Sequence, residues 1–112
     1  MKVAVIGSRN AMVNELELYI PVQCSEIVSG GAKGVDLCAR EYAKKNNIKL
    51  TEFLPEYSIY GKAATIVRNK KIVEYSDLII AFWDGYSKGT KFTIDYCKKS
   101  KKECRIVFVD SD

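Results

Sequence analysis

Apolar and polar positions alternate between two rhythms along this chain. Residues 2–6 form a short apolar, β-branched run that stops at Gly7, the pattern of a strand buried on both faces in a parallel sheet. Met12, Val13, Leu16 and Ile20 then recur at helical spacing until Pro21, predicting a first helix. A brief strand over 26–28 runs into Ser29, Gly30 and Gly31. The second helix has the clearest pattern. Val35, Cys38, Ala39, Tyr42 and Ala43 make one apolar stripe, Arg40, Lys44 and Lys45 lie off it, and Asn46-Asn47 is the stop. A strand over 48–54, a helix over 63–75, a strand over 78–82, a helix over 89–100 and a strand over 105–109 complete the series.

Strands alternating with helices of this length imply βαβ units, and right-handed crossovers leave few arrangements for them. The expectation is an α/β fold: a doubly wound, parallel, five-stranded sheet in the order 3-2-1-4-5, with helices on both faces. At 112 residues, with no repeat, linker or low-complexity stretch, the chain reads as a single domain over 1–112.

In open sheets of this kind a ligand sits beyond the carboxyl ends of the strands, where the strand order reverses. Here that crevice falls between strands one and four, and the glycines gather beside it. Every glycine but Gly61 lies in one of three loops: Gly7-Ser8-Arg9-Asn10, Ser29-Gly30-Gly31-Ala32-Lys33-Gly34, and Asp84-Gly85-Tyr86-Ser87-Lys88-Gly89-Thr90. Glycine lets backbone amides approach a phosphate closely, and the helix that follows adds unpaired N–H groups and a positive dipole end. Arg9 and Lys33 add charge, and Ser8, Ser29, Ser87 and Thr90 add hydroxyls. The loop after strand one has no GxGxxG, which argues against an ordinary dinucleotide site. Gly61-Lys62 lacks the upstream glycine and the Ser/Thr of a P-loop.

Charge and cysteine usage narrow the partners. A net charge of +4 favours anionic ligands but is thin for a dedicated duplex-DNA binder. Lys98, Lys99, Lys101 and Lys102 read as a solvated helix end that compensates the dipole. Cys24, Cys38, Cys97 and Cys104 include no CxxC pair, and there is no histidine, so no metal site and no cofactor are expected. The four read as buried or half-buried free thiols, which fit a reducing compartment. With neither a signal-peptide pattern nor a membrane-length apolar run, the expected location is cytoplasmic, with no membrane partner.

The loop residues also carry a family resemblance. Gly7-Ser8-Arg9, the run from Val28 through Ser29-Gly30-Gly31-Ala32-Lys33-Gly34 to Asp36, Arg68-Asn69, and Ser87-Lys88-Gly89-Thr90 resemble the motifs of the SLOG group. That group is named for the Smf/DprA DNA-processing proteins and the LONELY GUY phosphoribohydrolases. The chain is most similar to its small single-domain YspA-like or YpsA-related branch, over about residues 2–109. The resemblance implies a Rossmann-like fold and a site for a nucleotide or nucleotide-derived ligand. LONELY GUY enzymes cleave the N-glycosidic bond of nucleoside monophosphates with an arginine before strand four and a glutamate three residues after the Gly-Thr pair. Arg68 matches that arginine, but Thr93 stands at the glutamate position. DprA-like proteins share three of the segments and bind single-stranded DNA. This chain lacks their additional domains, so nucleic acid is not the expected partner.

The expected ligand contacts are therefore Gly7, Ser8, Arg9, Ser29, Gly30, Gly31, Ala32, Lys33, Gly34, Asp36, Arg68, Asn69, Trp83, Asp84, Gly85, Ser87, Gly89 and Thr90. Asp36 is open to a second role, capping the helix it begins. Trp83 and Tyr86 could stack on a base or simply pack, and Tyr57 and Tyr60 could form a lid. If a reaction occurs, the candidates to carry it are Arg68, Asp36 and Asp84. No nucleophile–base pair is evident, so an enzyme and a non-catalytic sensor both stay open, as does a homo-oligomer.

Overall fold

The computed structural model describes residues 1–110. Five strands, β1 (Lys2–Gly7), β2 (Glu26–Ser29), β3 (Lys49–Glu52), β4 (Leu78–Trp83) and β5 (Cys104–Phe108), form one all-parallel sheet. Its order is β3-β2-β1-β4-β5, the doubly wound, Rossmann-like arrangement expected from the alternation of elements. Helix α1 (Val35–Lys45) follows β2, a single turn α2 (Tyr57–Tyr60) precedes α3 (Ala64–Tyr75), and α4 (Lys88–Lys99) joins β4 to β5.

Because paired residues in a parallel ladder face the same way, the register sorts the core into two layers. Leu50, Ile27, Val3 and Leu78 form one row, facing α1; Thr51, Val28, Ala4, Ile79 and Cys104 form the next, facing α3 and α4. Val3, Ala4, Val5, Ile27, Val28, Leu78, Ile79 and Phe82 are wholly inaccessible, which explains why these strands read as continuous apolar runs. β5 is an edge strand and only half covered; Phe108 is exposed.

One expected element does not form. Residues 12–20 contain only a 3-10 turn (Leu16–Leu18), not a helix. Val13, Leu16 and Ile20 still reach the core layer under α1, but through an irregular path, and Met12 is exposed. The Val13 N–H points at Cys38 Sγ, 3.4 Å away, instead of at a carbonyl four residues back. Asn10 and Asn14, together with β-branched Val13 and Ile20, weaken the helical alternative here. The segment read as a loop before helix three contains α2 and a second 3-10 turn (Gly61–Ala63). All four cysteines are free, Cys38 and Cys97 buried and Cys24 and Cys104 half-buried. Lys98 and Lys99 occupy the last turn of α4, and Lys102 donates to the Ser76 carbonyl. No described helix is long and apolar enough to cross a membrane.

Candidate functional site

The strand order reverses between β1 and β4, and a cleft of about 530 Å³ opens at their carboxyl ends. Its floor is stitched together by Ser8. The Ser8 N–H donates to the Phe82 carbonyl at 3.2 Å, and its Oγ accepts the Asp84 N–H at 3.4 Å. Gly34, at φ +68°, lets the start of α1 press against this loop, where any Cβ would collide with the Arg9 carbonyl.

Arg68 forms the wall between α3 and the β2 and β3 loops. The side chain is buried; Nη1 donates to the Gly30 carbonyl at 2.7 Å and the Phe53 carbonyl at 3.4 Å. Nε donates to Asn69 Oδ1 at 2.8 Å. A Cβ at position 30 would stand 2.5 Å from Nη1 and 3.0 Å from Asp36 Oδ2, so any larger residue there forces the Arg68 side chain to shift. Two consequences follow. Arg68 Nη2 has no partner among the described residues and is not sealed in, and the residue lines the cleft. Asn69, its carbonyl taken by Arg68, keeps its NH₂ group for the cleft. Burial pushes the guanidinium pKa down, Asp36 pulls it up and Arg9 lowers it further.

Asp36, in the first turn of α1, accepts the Ala32 N–H at 3.1 Å. Desolvation raises its pKa, against the opposing pull of that N–H, Arg68 and the Ser29 hydroxyl. Asp84 behaves oppositely. One oxygen accepts both the Ser87 and Tyr86 N–H groups at 2.8 Å, which lowers its pKa and folds the loop around Gly85. Ser87 caps α4 with its carbonyl, which accepts the Lys91 N–H at 3.1 Å; the N–H groups of Lys88, Gly89 and Thr90 have no partner among the described residues. Ser87 Oγ and Thr90 Oγ1 lie 3.2 Å apart beside them. The cleft thus presents a guanidinium edge, an amide NH₂, a helix N-terminus and hydroxyls, all able to donate to an anion.

Of the residues singled out in the sequence, the cleft brings together Gly7, Ser8, Arg9, Gly30, Ala32 and Asp36 from the first half. From the second half it gathers Arg68, Asn69, Asp84, Ser87, Gly89 and Thr90. Ser29, Gly31, Lys33, Gly34, Trp83 and Gly85 do not line it. Ser29 and Gly34 shape the loop from behind. Trp83 supports the far side: its indole N–H donates to the Ser87 carbonyl at 3.0 Å, and its ring packs 5.8 Å from Phe108. Tyr60 lines a separate cavity of about 340 Å³ on the other side of Arg68, and Tyr57 lines neither.

Thr65, Ile66, Ile72 and Phe92 line the cleft without having been singled out, and Asn10, the last residue of the first glycine loop, and Thr93 line it too. A signal existed for them. Thr65 and Ile72 lie three residues before and four after Arg68, and Phe92 and Thr93 lie three and four after Gly89. Continuing the helical period from the motif into each helix reaches them. The Thr93 hydroxyl is spent on the Gly89 carbonyl at 3.0 Å, and the residue is buried.

Fold and site together define a Rossmann-like α/β domain with a donor-rich cleft at its topological switch point. No protein-family model, no curated protein and no solved structure matches the chain.

Proposed function

We propose that this protein binds a nucleotide or nucleotide-derived phosphate ligand in the cleft at the carboxyl ends of β1 and β4, as a member of the SLOG group. The observation that carries the reading is the pairing of unspent donors: the guanidinium of Arg68, a lining residue with its Nη2 unpartnered among the described residues, and the bare N–H groups of Lys88, Gly89 and Thr90. Such a pairing suits a phosphate better than any neutral ligand. Binding without turnover is the reading we favour. Glycosidic cleavage requires a group to manage the leaving base or the developing positive charge. Thr93, at the position of the family's glutamate, is neutral and its hydroxyl is already committed. Asp84 is held ionised by two backbone donors.

The test is thermal unfolding against a millimolar panel of mononucleotides, cyclic nucleotides, ADP-ribose and the parent nucleosides. Ligand at 100 times its dissociation constant adds about 2.7 kcal/mol. Phosphorylated members are expected to raise Tm and nucleosides to do so less; a panel without any shift overturns the reading. A 20-mer single strand is expected to give no tight, salt-sensitive complex; submicromolar binding at about 150 mM salt would replace the small ligand with nucleic acid.

A further inference from the structure

Two features of the sequence have no part in the cleft, the cysteines and the lysine cluster at the end of α4, and they meet at one place. Cys97 lies in the last turn of α4 and Cys104 opens β5. Both belong to the core layer that faces α3 and α4, Cys97 wholly inaccessible and Cys104 half-buried.

The connection between them is a helix stop of defined geometry. The Lys102 N–H donates to the Cys97 carbonyl at 2.9 Å and the Lys101 N–H to the Lys98 carbonyl at 3.2 Å, with Lys101 at φ +58°. This pair of bonds is a Schellman turn, which reverses the chain as the helix ends. Lys102 Nζ then fastens the turn to the Ser76 carbonyl at 2.5 Å. The reversal brings Cys104 back to Cys97, and the two thiols hydrogen-bond, the Cys97 S–H donating and Cys104 accepting.

The other two sulfurs are spent on backbone. Cys24 donates to the Glu26 carbonyl at 3.5 Å, and Cys38 accepts the Val13 N–H at 3.4 Å. Burial pushes the Cys24 thiol up. At Cys104 the bond from Cys97 outweighs burial and Lys98 adds to it, so that thiol is held below its ordinary value. Thiolate character, partial exposure and a neighbouring cation mark a cysteine that reacts, and a second thiol in contact resolves what it forms.

We propose that Cys97 and Cys104 are a reversible redox site, in which a hydroperoxide closes a disulfide that clamps the end of α4 to the β5 edge strand. The Cys104 thiolate attacks one oxygen of hydrogen peroxide; the O–O bond breaks, hydroxide leaves, and a sulfenic acid remains. The Cys97 sulfur then attacks the sulfenic sulfur. The S–S bond forms, the S–O bond breaks, and the hydroxyl leaves as water with the Cys97 proton. Two thiols and one peroxide thus become one disulfide and two waters, with two electrons passing from sulfur to oxygen. A dithiol reductant reverses the bridge by thiol–disulfide exchange.

The test treats the full chain with a few equivalents of hydrogen peroxide at neutral pH, alkylates the remaining thiols and maps the digest by mass spectrometry. Free thiols are expected to fall from four to two, with Cys97 bridged to Cys104, and dithiothreitol is expected to restore all four. The bridged form should melt about 5 °C higher, because the cross-link restricts the unfolded chain. Cys104→Ser should leave Cys97 unoxidised at the same dose, and the double variant Cys24→Ser with Cys38→Ser should bridge as the parent does. Survival of all four thiols overturns the proposal. So does a bridge that uses Cys24 or Cys38 or joins two molecules, and so does a Cys97–Cys104 bridge without a rise in melting temperature. The map of the parent protein decides the matter if a variant proves unfolded.

Discussion

At the amino end of the sheet Glu26 is buried, and at the carboxyl end Asp36 is buried almost equally, at 6% and 8% exposure. Their chemistry nevertheless diverges. Glu26 accepts the Tyr75 hydroxyl at 2.5 Å and the Thr51 hydroxyl at 2.7 Å, and Lys49 Nζ lies 3.7 Å away. The Tyr75 bond leads the causes that hold its pKa below the ordinary 4.5. Asp36 has one backbone donor at 3.1 Å, weaker help from Arg68 and Ser29, and an open cleft beside it; desolvation wins and its pKa rises above 3.8. Burial alone thus does not set the direction. The supply of donors does, and the fold spends its donors at the amino end while leaving them unspent at the carboxyl end.

The contrast has a pH signature of opposite sign. Glu26 stabilises the fold above pH 4.5, and that contribution is lost as pH falls through its lowered folded value. Asp36 holds a proton in the folded state where the unfolded chain has released it. Its effect on stability therefore turns unfavourable as pH rises from 3.8 through its raised folded value.

The largest effect belongs to the amino end. Glu26→Ala strands the Tyr75 and Thr51 hydroxyls and is expected to cost about 3 kcal/mol in urea unfolding at neutral pH. A loss below about 0.5 kcal/mol would erase the distinction between the two ends. Next comes Arg68→Ala, which deprives the Gly30 and Phe53 carbonyls of their donor and is expected to cost about 2 kcal/mol. It should also push the Asp36 carboxyl still higher, followed by the carboxyl signal in NMR titration; an unchanged midpoint would mean Arg68 exerts no pull there. The smallest effect is Asp36→Asn. The amide keeps an acceptor for the Ala32 N–H and removes a poorly supported charge, so stability at pH 7 should stay within about 1 kcal/mol of the parent. The decline in stability as pH rises from 3.8 should also flatten, as read from urea midpoints between pH 4 and 7. A steep loss at pH 7 would make Asp36 as structural as Glu26.

Much of this arrangement was legible in the chain before its fold was known. Helix α1 begins and ends where its stripe and the Asn46-Asn47 stop place it, and α3 starts within one residue of expectation. The three loops that meet at the cleft are those in which the glycines cluster. Glu26, by contrast, read only as the first residue of a short strand. Its partners are Thr51, 25 positions away, and Tyr75, 49 positions away, and no local pattern joins them.

The residues 8–25 mark the same boundary from the other side. Their apolar spacing identified Val13, Leu16 and Ile20 as core-facing, and all three pack there, yet no helix forms around them. Periodicity reports which side chains are to be buried, whereas the backbone path depends on what receives its hydrogen bonds, here a sulfur on α1 in place of a helical carbonyl. The same reasoning applies to Arg68. Its identity was visible, but that its Nη1 would be consumed by two carbonyls and its Nη2 left open was settled only when β2, β3 and α3 came together. Alternation of apolar runs and helical stripes is a local property, so the sequence alone determined the sheet, its winding and the edge on which the glycines fall. Which donors are spent and which remain is a property of side chains distant in sequence, and only their packing decided it.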